Sequence, residues 1–264
     1  MLEQRVVMEA GALIAAAPIL ALEHHGDRSP VLVIPGFTAT DASTAVLRSY
    51  LRAWGYWAHG WRVGTNLGPT AKTLRATRER LEAVNTRHGR PVTLIGQSAG
   101  GTFARYLARE QPEMVRQVIT LGSPIQLIRG DGSSLAMLSR RLERRFDNEF
   151  HRLADHQRVV LPVPATSIYT RSDGIVRWQV CLDVVDDRHE NVEVHGTHSG
   201  LAVNPASLHV IADRLDHRDG EWHPFSPSPW VRRFYPQPAS YDPTRSSPAG
   251  RDVTGHGAAH GNAG

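Results

Sequence analysis

The sequence predicts an α/β fold in which a mostly parallel sheet is covered by helices on both faces. Short apolar runs alternate along the chain with longer segments whose apolar residues recur at helical spacing. This alternation is typical of parallel sheets, because the chain must cross back between successive parallel strands, usually through a helix. The length of 264 residues and the hydrophobic content of 41% are sufficient for one domain with a substantial core.

The predicted elements follow one another in strand–helix order. The apolar run at 31–34 predicts the first, buried strand. Residues 41–54 predict a helix that begins at Thr40 or Asp41 as the N-cap residue. Its inward face is expected to carry Val46, Leu47, Tyr50, Leu51 and Trp54. Further strands are predicted at 56–61, 92–95, 118–121, 163–169 and 191–194, and further helices at 69–88, 102–109 and 201–215.

The chain before the first strand is predicted to form an apolar helix packed on the core. Residues 10–22 are almost wholly apolar, but they are too few to span a bilayer. The preceding segment holds two glutamates and one arginine, so it lacks the net positive charge that begins a signal peptide. We therefore expect residues 1–29 to form this helix and residues 30–218 to form the α/β domain.

Two further segments lie outside the strand–helix alternation. Residues 124–161 carry apolar side chains at helical spacing with arginines on the remaining faces, which predicts a helix that covers apolar surface. The tail at 219–264 is rich in Pro, Gly, Ser and His. Aromatic residues in its first half predict contact with the domain surface, and its composition from residue 243 onward predicts disorder.

A Gly-x-Ser-x-Gly motif centred on Ser98 is the most informative pattern in the chain. It lies between the predicted strand at 92–95 and the helical segment at 102–109. This arrangement is that of a nucleophile elbow, a sharp turn that exposes a serine hydroxyl above the sheet. Strand and helix approach closely at such a turn, so the positions two residues before and after the serine must be nearly bare. Gly96 and Gly100 meet this requirement.

A serine nucleophile needs a carboxylate and a histidine, which follow an elbow in that chain order. Asp173 lies just beyond the predicted strand at 163–169, and His198 lies in the loop after the strand at 191–194. Active-site residues collect at the carboxyl ends of strands in open parallel sheets. The positions of Asp173 and His198 therefore predict a catalytic triad with Ser98.

Other carboxylates and histidines compete for the two supporting roles. Asp183 is assigned to the interior of a strand, and Asp186 and Asp187 to a solvated turn at 186–190. His195 ends a strand and is interpreted as structural or pocket-lining. The remaining rival to His198 as the base is His189.

Metal binding is the alternative interpretation of the histidine spacing. His195 and His198 are three residues apart, which also suits a metal site. No third group of ligands accompanies them, so no metal is predicted.

These motifs resemble those of bacterial esterases and lipases of the α/β-hydrolase superfamily. The likeness covers residues 31–215. It is carried by the segment at 31–37, the elbow around Ser98, and the triplets Ser-Asp-Gly at 172–174 and Gly-Thr-His at 196–198. The resemblance implies an α/β-hydrolase fold with a mostly parallel central sheet, helices on both faces and a helical cap or lid inserted at about 124–161.

The resemblance also implies roles for individual residues. Ser98 would be the nucleophile, His198 the general base and Asp173 the group that orients the imidazole. The backbone N–H groups of Phe37 and Ala99 would form the oxyanion hole. Many lipases carry a His-Gly pair or a glycine run in the first of these two loops, whereas this chain has Pro-Gly at 35–36.

The implied reaction is cleavage of a carboxylic ester, from a small molecule or a lipid, through an acyl-enzyme and without a cofactor. A thioesterase or acyltransferase would use the same triad, and a non-catalytic binding protein of the same fold is a further alternative. The apolar stripe of the insertion predicts a pocket for a hydrophobic acyl group. The candidate pocket residues are Leu142, Phe146 and Phe150.

Composition bears on partners and compartment. The chain has a formal charge of +4, and almost all of its positive charge comes from arginine. No zinc-finger spacing, RNA-binding signature or basic helical arm is present, so no nucleic-acid partner is predicted. The single cysteine fits a reducing cytoplasm, although secretion or membrane association stays open. The arginines of the insertion also predict transient contact with an anionic lipid interface.

Overall fold

The computed structural model describes residues 26–126, 160–217 and 221–241. Strands β1 to β6 are Pro30–Ile34, Trp57–Gly60, Val92–Gln97, Val115–Leu121, Ala165–Tyr169 and His189–Glu193. Helices α1 to α4 are Ala45–Ala53, Ala71–His88, Ala99–Glu110 and Pro205–Asp216.

The six strands form one sheet in the order β2-β1-β3-β4-β5-β6, and every neighbouring pair is parallel. All strands therefore end at the same edge of the sheet. The chain moves outward from β1 to β2 and then returns to β3 on the other side of β1. Strand order reverses at this point, and the crevice at such a reversal is where open α/β sheets place their ligands.

Alternate residues of β1 pack into two separate cores, one on each face of the sheet. Val31 and Val33 belong to a cluster that includes residues of α1 and α4. Leu32 and Ile34 belong to a second cluster, which includes residues of α2 and α3. Successive side chains of a strand point to opposite faces. The predicted parallel sheet with helices on both faces is therefore confirmed.

Helix α2 follows the prediction at both ends. The Thr70 hydroxyl accepts a hydrogen bond from the Thr73 N–H at 3.1 Å, which caps the first turn. Gly89 adopts a left-handed backbone conformation with φ of 61° and ends the helix. Leu74, Leu81 and Val84 of this helix are buried.

The prediction for 41–54 was wrong in two respects. Residues Asp41–Thr44 form a 3-10 turn, and only Ala45–Ala53 are α-helical. Val46 is 45% exposed, whereas Leu47 and Leu51 are buried. The buried stripe follows positions one helical turn apart, and Val46 lies about 100° around the helix from it.

The fourth helix also begins later than predicted. Leu201 is buried but lies in a turn, and α4 begins only at Pro205. The Asn204 side chain accepts hydrogen bonds from the N–H groups of Ala206 and Ser207, which fixes this start.

Buried charges explain the largest departures from the predicted elements. Asp183 was predicted to lie within a strand but lies outside the strands, and its carboxylate forms a buried ion pair with Arg105 of α3. Asp186 and Asp187 are exposed, as predicted. Residues 189–190 of the same predicted turn are instead buried and begin β6. A charged group is buried in this way only when it is paired and hydrogen-bonded.

The described part of the tail lies against the domain. The Phe225 N–H donates to Glu190 Oε2 at 2.7 Å, and the Ala239 N–H donates to the Tyr169 hydroxyl at 2.7 Å. Phe225 and Tyr235 pack against the core, while Trp230 is 86% exposed.

Several predicted segments lie outside the described residues. These are the predicted N-terminal helix up to residue 25, the insertion from 127 to 159 and the tail from 242 onward. Within the described residues, no helix has both the length and the apolar character needed to cross a membrane.

Edge strand β2 carries a histidine whose protonation opposes folding. His59 Nε2 lies 2.8 Å from Nε2 of His88 on α2. Burial, together with Arg80 and other nearby cations, lowers the pKa of His59 from 6.5 to about 4. Between these two pH values the unfolded chain therefore binds a proton that the folded chain does not.

We expect the free energy of unfolding to fall as pH is lowered from about 6.5 to about 4. His59→Gln, which cannot bind that proton, should make this dependence shallower. Urea unfolding at pH 7 and pH 5 measures the effect. An equal loss of stability in both proteins would show that His59 does not contribute.

Candidate active site

Ser98 lies at the turn between β3 and α3 in a backbone conformation that only glycine adopts easily. Its φ is 51° and its ψ is −125°. Such a conformation costs on the order of 1–3 kcal/mol and persists only where the surroundings hold it. Here the Ser98 N–H donates to the Leu121 carbonyl at the end of β4 at 2.8 Å. The serine is 8% exposed.

The two glycines of the motif allow the backbone segments at this turn to approach closely. A Cβ atom on Gly96 would lie 2.3 Å from the Gly101 Cα. A Cβ atom on Gly100 would lie 2.2 Å from the Ile34 carbonyl oxygen of β1. Neither position has room for a side chain, which explains the Gly-x-Ser-x-Gly pattern physically.

Asp173 and His198 form a buried hydrogen-bonded pair. His198 Nδ1 lies 2.6 Å from Asp173 Oδ2, and their side chains are 6% and 1% exposed. Asp173 Oδ1 accepts from the N–H groups of Ile175 at 2.8 Å and Val176 at 2.6 Å. Both oxygens of the Asp173 carboxylate therefore take part in hydrogen bonds. If Nδ1 of the neutral imidazole carries the proton and donates it to the carboxylate, then Nε2 is the nitrogen that can accept a proton.

The end of β4 brings Ser98 next to this pair. The Leu121 carbonyl accepts from the Ser98 N–H, and the following residue, Gly122, lies against the imidazole and the carboxylate of the pair. The Gln97 side chain also donates to the Ser199 carbonyl at 3.4 Å. The residues next to Ser98 and His198 in the chain are thus in contact.

Gly122 lies in the site but was not among the residues predicted from the sequence. Its φ is 56°. A Cβ atom there would lie 3.1 Å from His198 Nδ1, 3.2 Å from Asp173 Oδ2 and 3.0 Å from Leu201 Cδ1. The signal in the sequence was a glycine directly after a predicted strand, where a left-handed residue is common. Because Gly122 has no side chain, there is room beside it for His198 and Asp173.

The rival carboxylates have other partners or lie in solvent. Asp183 pairs with Arg105, as described above, and Asp187 is exposed. Asp186 lies 2.7 Å from His189 Nδ1, so this carboxylate and this rival histidine bind each other.

The other rival histidine, His195, is exposed, and its carbonyl accepts from the Asn204 side chain at 2.8 Å. Of these candidates, the structure brings Asp173 and His198 together beside Ser98. No group of three or more His, Cys, Asp or Glu side chains suited to a metal ion is found among the described residues.

The loop after β1 lies against the serine. A Cβ atom on Gly36 would lie 3.2 Å from Ser98 Cβ. The adjacent Phe37 N–H and the Ala99 N–H at the start of α3 take part in none of the hydrogen bonds found among the described residues. Neither N–H group is thus engaged elsewhere in the described part of the chain. The candidate pocket residues Leu142, Phe146 and Phe150 lie outside the described residues.

Gly122→Ala should disturb the hydrogen bond between His198 and Asp173, because the new methyl group would press on both side chains and an alanine is strained at a φ of 56°. We expect the far-downfield proton resonance of this hydrogen bond to shift or disappear in the ¹H NMR spectrum. Gly89→Ala is the matched control, since Gly89 has a similar φ of 61° but no atom within 4 Å of its added Cβ. An unchanged resonance in Gly122→Ala would contradict the proposed crowding.

Comparison with known proteins gives matches at the level of structure. The sequence matches no protein-family model and no curated protein. A structure described with the metagenome-derived lipolytic enzymes LipS and LipT has a TM-score of 0.56 at 16% identity, over 72% of this chain and 93% of that one. A monoacylglycerol lipase from Paleococcus ferrophilus has a TM-score of 0.55 at 12% identity, over 73% and 95% of the two chains.

A third similar structure is lipase B from Aspergillus fumigatus. Its TM-score is 0.54 at 16% identity, over 75% of this chain and 55% of that one. Together with the parallel six-stranded sheet and the strand–serine–helix turn, these likenesses identify the α/β-hydrolase fold in this chain.

Proposed function

We propose that the protein is a serine hydrolase that cleaves carboxylic esters through an acyl-enzyme. The observation that carries the proposal is the buried His198–Asp173 pair, with Nδ1 and Oδ2 2.6 Å apart, beside a serine in a strained turn. Backbone strain of this kind is typical of functional positions. A turn that only connects a strand to a helix does not require a strained serine. The lipolytic activity of proteins with similar structures supports the same reaction class.

The first half of the reaction forms the acyl-enzyme. Ser98 Oγ attacks the acyl carbon and gives its proton to His198 Nε2. The Asp173 carboxylate stabilises the imidazolium that results. Negative charge on the acyl oxygen is met by the N–H groups of Phe37 and Ala99, each worth about 3 kcal/mol of barrier. The bond to the alcohol oxygen then breaks, and the alcohol leaves with the proton from the imidazolium.

The second half of the reaction repeats these steps with water. His198 takes a proton from the water as its oxygen attacks the acyl carbon, and returns it to Ser98 Oγ as the carboxylic acid leaves. The triad does not itself select water over another acceptor, or an oxygen ester over a thioester. The alternatives are therefore distinguished by product analysis with each class of substrate.

Ser98 should be the single residue labelled by a fluorophosphonate probe, because only a serine beside a general base reacts readily. Ser98→Ala should remove the label and reduce kcat for ester hydrolysis by roughly 10⁴- to 10⁶-fold. Ser199→Ala is the control, since Ser199 is exposed next to His198. Intact mass spectrometry and p-nitrophenyl acetate hydrolysis provide the two measurements, and a labelled Ser98→Ala protein would refute the assignment.

The acyl group that we propose is hydrophobic and lies against the insertion. Phe146→Ala or Phe150→Ala should reduce kcat/KM for p-nitrophenyl octanoate about tenfold more than for the acetate, because each buried methylene contributes about 0.8 kcal/mol. Phe234→Ala is the control, since Phe234 is 48% exposed in the tail. Equal losses for both esters, together with a lower Tm, would instead make the phenylalanines part of the core.

A further inference from the structure

The loop at 35–39 has a backbone that needs support from outside the loop. Thr38 has a φ of 61°, a left-handed conformation that is rare for a β-branched residue. Within the loop, the Ala39 N–H donates to the Gly36 carbonyl at 3.2 Å, and the Thr38 hydroxyl donates to the Phe37 carbonyl at 2.7 Å. The Phe37 N–H lies between these residues, so its direction depends on how the loop is held.

Asn66, in the segment between β2 and α2, binds this loop on both sides of Phe37. Its backbone carbonyl accepts from the Thr38 N–H at 2.7 Å, and its N–H donates to the Ala39 carbonyl at 2.9 Å. Its side-chain Nδ2 donates to the Pro35 carbonyl at 2.8 Å. Three hydrogen bonds from one residue therefore hold the peptide groups that flank Phe37.

The second side-chain atom of Asn66 fixes its carboxamide in place. Oδ1 accepts from the Gly68 N–H at 3.0 Å, and Asn66 is 0% exposed. The Asn66 carboxamide donates to a carbonyl through its nitrogen and accepts from an N–H through its oxygen. An aspartate side chain has the same shape but lacks the donor. Because the site is buried, water does not replace a lost hydrogen bond there.

We propose that Asn66 is a positioning residue for the oxyanion hole, which acts by fixing the direction of the Phe37 N–H beside Ser98. The inference rests on the proposed function. Asn66 does not touch the substrate. It maintains the loop whose Gly36 lies against Ser98, so that the donor is already in place when charge develops on the acyl oxygen.

Asn66→Asp tests this role, because it keeps the shape of the side chain and removes the donor to the Pro35 carbonyl. Asn85→Asp is the matched control. Asn85 Nδ2 also donates to a backbone carbonyl, that of Arg90, at 3.0 Å, but it does so at the far end of α2. The kcat and KM for p-nitrophenyl acetate are measured per active site titrated with the fluorophosphonate, so that misfolded protein does not count.

We expect kcat of Asn66→Asp to fall about 10- to 100-fold with KM within about threefold, since a misdirected donor loses part of the 10²- to 10³-fold effect of a missing one. Asn85→Asp should stay within about twofold of the wild type in both constants. Equal kcat in the two variants, or a loss in Asn66→Asp confined to KM, would overturn the inference.

Two further outcomes are also decisive. If Asn66→Asp does not fold, Asn66→Ala removes the same donor without adding a charge and takes its place. If neither variant folds while Asn85→Asp does, Asn66 serves the fold alone and the inference is wrong. A wild-type protein that neither hydrolyses esters nor reacts with the probe would overturn the proposed function itself, and this inference with it.

Discussion

The close approach of three strands and one helix at the turn around Ser98 is the constraint on which the site depends. The Ser98 N–H binds the end of β4, and Gly100 touches the carbonyl of Ile34 at the end of β1. These contacts require the observed register, in which Gly96 pairs with Ile34 on one side and Thr120 on the other. A shift of one residue would move a strand end by about 3.3 Å and remove both contacts.

Asp173 and His198 follow the two strands at the other end of the sheet, β5 and β6, and buried polar groups connect those strands to the rest of the domain. The ion pair between Arg105 and Asp183 connects α3, which begins beside the nucleophile, to the segment before β6. Glu190 of β6 accepts from Arg214 of α4 at 2.8 Å and from Thr166 of β5 at 2.9 Å. These contacts favour one arrangement of the strands and helices, because any other arrangement would bury a charged side chain without a partner.

The sequence predicted the parts of the fold that depend on local pattern. Strands β1 and β3 are mostly apolar, and α2 has Thr70 and Gly89 at its ends, so their positions could be read without tertiary information. The pairing of Asp173 with His198 was also predicted, since both residues follow strands of one parallel sheet.

The missed features depend on contacts between distant segments. Glu190 appears as part of a charged turn until Arg214 and the N–H of Phe225 are placed beside it. Gly122 and Asn66 are ordinary loop residues in the sequence. Their importance comes from His198 and from the loop at 35–39, which only the folded chain brings near them.

The tail extends the support of Asp173 beyond the sheet. Tyr169 ends β5, four residues before Asp173, and burial raises its pKa to about 12, so its hydroxyl keeps its proton. The hydroxyl donates to Glu193 Oε2 at 3.0 Å and accepts from the Ala239 N–H of the tail. Glu193 also accepts from Arg171 Nε at 2.9 Å. Contacts with β6 and with the tail thus restrain the chain on which Asp173 depends. A strained serine is useful only if its partners are equally well held, because a displacement of about 1 Å between reacting groups costs about 10²-fold in rate.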